Sequence, residues 1–135
     1  MFGMTIKVDN LFVEAQATNP DYSASLDTAI YARGPIFINV ACNATGTDLT
    51  AITVEHSADD SAYAAVPAAA LFNILTGAAG TFTTAVASTA QDEVLGLNLQ
   101  QCKRYVRVVL TVAVSSARTF SITVAGQYDY TEAEG

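Results

Sequence analysis

Over residues 105–114 the chain reads YVRVVLTVAV, and after a short Ser115-Ser116-Ala117-Arg118 break residues 119–128 read TFSITVAGQY. In the first run Val106, Val108, Leu110, Val112 and Val114 fall on one side, with Tyr105, Arg107, Val109, Thr111 and Ala113 on the other. In the second, Phe120, Ile122, Val124 and Gly126 alternate with Ser121, Thr123, Ala125 and Gln127. Strict alternation with β-branched residues builds a strand with one buried face, and no helix satisfies such a period. The two runs therefore predict long strands, joined by a polar turn, in an antiparallel sheet. Val106, Val108, Leu110, Val112, Phe120, Ile122 and Val124 are the predicted core.

The rest of the chain punctuates in the same way. Residues 28–32 and 36–43 read as strands separated by Gly34-Pro35, and residues 44–50 as a loop. Residues 51–57 form the next strand, with Ile52, Val54 and His56 on one face. Ala58-Asp59-Asp60-Ser61 turns it into residues 62–66, giving a hairpin. Residues 68–75 carry Ala68, Leu71, Phe72 and Leu75 at helical spacing, which predicts one short helix ended by Gly77-Ala78-Ala79-Gly80. Residues 81–87 read as extended, and 94–99 as a further strand. About eight strands with turns every ten residues or so predict a single all-β sandwich, a jelly roll or a barrel. Residues 1–27 are weakly patterned, with a short apolar stretch at Leu11-Phe12-Val13 and a turn signal at Asn19-Pro20-Asp21. They read as an N-terminal arm ahead of a sandwich domain spanning 28–135, lying across a neighbour or returning along its own domain.

At 135 residues the chain fits one domain. Charged residues make up only 14%, about half the usual quarter. So few charges protect a monomer poorly from association, which points to surface covered by partner subunits. Thirteen acids against six bases give a net charge of −7, which disfavours nucleic acid and anionic membranes as partners. No apolar run reaches membrane-spanning length, and no secretory leader pattern is visible at the N-terminus.

Candidate chemistry is sparse. His56 is the only histidine; its neighbours Glu55 and Ser57 point to the opposite face of a strand, so a Ser-His-Asp arrangement does not form locally. One histidine and two distant thiols, Cys42 and Cys102, make a poor zinc set. Cys42 continues the face of Ile36, Ile38 and Val40 and reads as a buried free thiol. Asp59-Asp60 suits turn formation better than Ca²⁺ binding, because no ladder of alternating carboxylates surrounds it. Gly77–Thr81 lacks the Lys of a phosphate loop. The expectation is no enzymatic activity, no cofactor and no metal. Lys103, Arg104 and Arg107 are half of the basic residues. With Tyr105 they read either as a solvated strand edge or as a contact patch for a carboxylate-bearing partner. Leu11 and Phe12 of the arm join them as candidate interface residues.

Two segments together resemble a known family. Residues 54–66 resemble a pattern of strand, Ser-x-Asp-Asp, aromatic, x-x-Val. Residues 103–109, KRYVRVV, resemble the strand that closes the same domain. Both are similar to decoration (cement) proteins of tailed bacteriophage capsids, over roughly residues 35–130. The resemblance implies a jelly-roll-like sandwich, commonly a homotrimer, that binds the major capsid protein on the virion exterior after synthesis in the host cytoplasm. It brings no catalytic residues. The competing expectation is a carbohydrate- or receptor-binding sandwich of a tail or fibre, against which the missing Trp and the scattered tyrosines count.

Overall fold

In the computed structural model, which describes residues 6–15, 20–44, 46, 48–84, 89–112 and 119–128, ten strands are arranged in two antiparallel sheets. In chain order these are β1 (Ile6–Ala15), β2 (Asp21–Tyr22), β3 (Leu26–Asp27), β4 (Tyr31–Cys42) and β5 (Leu49–Ser57). They are followed by β6 (Ala64–Ala65), β7 (Leu71–Phe72), β8 (Gln91–Asn98), β9 (Tyr105–Val112) and β10 (Thr119–Tyr128). The first sheet has the order β1-β10-β4-β8-β7. The second runs β2-β9-β5-β6, with β3 also paired to β9.

The core lies between the sheets, where the alternating residues meet. One side supplies Ile36, Ile38 and Val40 of β4, Leu95 and Leu97 of β8, and Phe120, Ile122 and Val124 of β10. The other supplies Val54 of β5 and Val106, Val108, Leu110 and Val112 of β9. All seven predicted core residues are buried. Gly126 continues the inner face of β10 because no side chain fits there: a methyl group would fall 2.6 Å from Tyr31 Cδ1 and 2.7 Å from Ile36 Cγ2. Cys42 is buried at the end of the β4 face, and neither cysteine forms a disulfide.

Several expectations are corrected. The two strongest strands are not partners: β9 pairs with β5 in the second sheet, and β10 with β1 and β4 in the first. Connecting residues 113–118 lie outside the described residues. Residues 28–32 are not a separate strand; Thr28–Ile30 is a 3-10 turn and β4 begins at Tyr31, running through Gly34-Pro35. The helix expected over 68–75 is a 3-10 turn at Ala68–Ala70 followed by β7 and a tight turn. Its helical spacing is overridden by Asn73, whose Oδ1 accepts from the N–H groups of Leu75 (2.9 Å) and Thr76 (3.3 Å), an alternative to helical bonding. Of the two courses expected for residues 1–27, their described parts take the second and return along their own domain. Ile6–Ala15 pairs along β10 as an edge strand, and β2 and β3 pair with β9, so most of the expected arm is built into both sheets.

Candidate partner-binding surface

The outer face of the second sheet gathers the residues singled out at 103–107. Register sets them there: β5 and β9 align Ser57 with Tyr105 and Glu55 with Arg107, and directly opposed residues in an antiparallel pair share a face. Arg107 Nε donates to Glu55 Oε1 at 2.9 Å, and its terminal nitrogen reaches the same oxygen at 2.8 Å. The guanidinium also lies 3.9 Å from the ring centroid of Tyr63 and 4.3 Å from that of Tyr22. Tyr22 reaches it from β2, where it opposes Val109, one diagonal step from Arg107. The hydroxyl of Tyr63 donates to Asp60 Oδ1.

Beside this group, Arg104 forms a bidentate pair with Asp27, Nε to Oδ1 at 2.9 Å and a terminal nitrogen to Oδ2 at 2.8 Å. The Arg104 hydrogen bond holds the Asp27 carboxyl below its ordinary value. The same carboxylate accepts from Ala29 N, capping the 3-10 turn. Arg104 lies 5.2 Å from the Tyr105 ring. The charges of Arg104 and Arg107 are thus neutralised within the chain. Lys103 is exposed. Leu11 is the extra residue of a bulge between Asn10 and Phe12, and the side chains of Leu11 and Phe12 lie outside the described residues.

A turn and a buried histidine hold this surface. Asp59 Oδ1 accepts from the backbone of Ser61 and Ala62, both at 3.0 Å, and from Ser57 Oγ at 2.8 Å. These donors, the Ala62 N–H first, keep the Asp59 carboxyl below its ordinary value. Asp60 takes the left-handed conformation (φ 59°) that a short polar residue tolerates in a tight turn. On the other side of the strand pair, His56 is buried, and its Nδ1 accepts from the Lys103 N–H at 3.1 Å. The acceptor role of Nδ1 places the neutral ring's proton on Nε2. His56 is therefore a clamp between the two motifs. Among the described residues no cluster of three or more His, Cys, Asp or Glu is placed to hold a metal ion.

Sequence reasoning missed Tyr22, Glu55, Tyr63 and Asp27. The tyrosines that look scattered along the chain converge, because Tyr22, Tyr63 and Tyr105 are brought to one outer face by strands far apart in sequence. The alternation of β9 placed Tyr105 and Arg107 outward, but nothing local revealed that β2 would lie beside them.

No family model matches the chain, and no curated protein matches it. Among solved structures, it shares its fold with the crystal structure of SPBc2 prophage-derived protein YomS, with a TM-score of 0.55. The likeness covers 94% of this chain and 96% of that one at 9% sequence identity.

Proposed function

We propose that this chain is a structural protein of a tailed-phage particle that binds the outside of the capsid as a homo-oligomer, a trimer by family resemblance, and stabilises the shell. The observation that carries this reading is spatial. The two segments that resemble decoration proteins, residues 54–66 and 103–109, form one constellation, with Tyr63 of the first on Arg107 of the second and His56 bonded to the Lys103 backbone. A pair of motifs that builds a single ordered surface is more informative than either alone. The prophage origin of the structural neighbour accords with this reading.

The chemistry suits static recognition. Tyrosine and arginine supply large contact area at small entropic cost, and the internal pairing with Glu55 fixes the geometry before a partner arrives. Because both arginines are neutralised, docking should depend weakly on salt rather than on electrostatic steering. A second reading, a sugar- or receptor-binding module, draws on the same face, where Tyr22 stays 47% exposed beside Tyr63.

Cosedimentation with phage heads assembled without this chain tests the proposal. The wild type should bind stoichiometrically across a range of salt, and Tyr22→Ala should weaken binding without unfolding the protein. A wild-type chain that leaves heads unbound, while binding glycans through Tyr22, would replace the capsid reading with the second.

A further inference from the structure

The opposite side of the molecule has a different character. Of the exposed large hydrophobic side chains among the described residues, all but Tyr22 belong to the first sheet or to the turn after β7: Ile6, Val8, Phe37, Ile74, Leu75 and Val94. Register places Val8, Ala125, Phe37, Gly96 and Phe72 in one row across the five strands. The Phe72 ring lies directly over Gly96, where any side chain would collide with it. At the end of this row the turn at residues 73–77 projects two apolar side chains into solvent, Leu75 at 95% exposure and Ile74 at 45%.

That turn is not a loose loop. Gly77 N donates to Asn73 O and Asn73 N to Ala78 O, both at 2.8 Å, and Gly80 N donates to Leu71 O at 3.0 Å. Asn73 Oδ1 holds the intervening N–H groups, and Gly77 supplies the left-handed residue (φ +72°) that closes the turn. Beside the turn lies an open hollow of about 360 Å³, lined by Pro35, Ala69, Phe72, Gly77, Asn98 and Gln100 among others. A preorganised apolar tip and a hollow therefore sit next to each other on one surface.

We infer that the Ile74-Leu75 tip of one copy seats in the Pro35–Phe72–Asn98 hollow of a second copy of this chain. Charge selects that occupant. The chain carries −7, so two copies repel unless they meet where charge is absent. Residues 67–91 contain no charged residue at all, and the lining of the hollow is uncharged as well. This stretch also continues into the apolar row of the first sheet, which extends the contact beyond the tip. Because tip and hollow are adjacent, the symmetry axis of a closed assembly passes close to the turn, and each copy both gives and receives a tip. The rigid turn has little freedom left to lose on docking.

The inference deepens the homo-oligomer part of the proposed function and is independent of particle binding. Light scattering and sedimentation of the purified full chain at micromolar concentration read it directly. The wild type should be an oligomer, and Leu75→Asp should raise its dissociation constant by roughly thirtyfold or more, as expected at a contact hot spot. Since Leu75 makes almost no contact within its own chain, the variant should keep the wild-type circular dichroism and melting temperature. A tagged Leu75→Cys chain mixed with an untagged Ala69→Cys chain should form a covalent heterodimer on mild oxidation, whereas Leu75→Cys mixed with Thr50→Cys on the other sheet should not. A monomeric wild type overturns both the contact and the oligomer. An oligomer of unchanged stability in Leu75→Asp, or the absence of the Leu75–Ala69 cross-link, overturns the contact alone. Head binding is measured separately, so it stands or falls without either result.

Discussion

Leu110 and His56 face the same side of the β5–β9 pair and do different work. Leu110 is fully buried between the sheets, so Leu110→Ala should cost about 2–5 kcal/mol including the cavity it leaves, read as a lower urea midpoint at unchanged slope. His56 instead satisfies a backbone donor at Lys103, and His56→Ala should cost about 1–3 kcal/mol by orphaning it. Burial, and after it the charge of Lys103, holds the imidazole pKa below its ordinary 6.5. The unfolded chain binds this proton first as pH falls, so stability should be full above pH 6.5 and decline below it, levelling once the folded imidazole titrates. Urea unfolding on both sides of that pH, compared with His56→Asn, checks the sign; a wild-type slope that persists in the variant would assign it to other groups. At this scale the sequence was most legible. The β9 and β10 core follows directly from alternation, because side-chain period is a local property. The partners of Arg104 and Arg107 were not legible, because a carboxylate 77 positions away in Asp27 or 52 away in Glu55 becomes a neighbour only through strand pairing.

Strand order is the main thing that local pattern left open. Alternation reports which face of a strand is buried and not which strand lies beside it, so β9 and β10 look like a hairpin although they lie in opposite sheets. Edge strands are harder still. β2 and β3 are two residues each, and the Ser23 backbone and hydroxyl bridge the gap between them by bonding to Val108 at 2.9 Å. A polar stretch such as residues 20–27 can be an edge because its outer side faces water. The pairing of β1 changes what a deletion means. Removing residues 1–15 would uncover the hydrogen-bonding edge of β10 rather than detach a free tether. The truncated chain should melt lower than Leu110→Ala and aggregate on warming, followed by thermal unfolding with light scattering. A soluble truncated chain with the wild-type midpoint would mean that β1 contributes nothing to the sheet.

For the whole molecule, the two outer faces differ in character. One is an aromatic and ion-paired surface built from distant segments; the other is apolar, nearly uncharged and bordered by a rigid turn. Low overall charge raises the expectation of covered surface without locating it, and the uncharged residues 67–91 are placed only once β7 and its turn are seen at the end of the first sheet. The position of β10 carries a consequence for biosynthesis. It lies between β1 and β4, so β1 cannot join the first sheet until β10 has been made. A ribosome-bound chain that has emerged only through β9 holds β1 without its partner and half of β4's pairing edge open. Closure of the first sheet should therefore wait until β10 has emerged, with slow formation of these long-range pairings. A chain ending at residue 118 should stay protease-sensitive and gain resistance when a peptide spanning residues 119–135 is added in trans. If the shortened chain is already resistant, β10 is an addition to a finished fold and not its keystone.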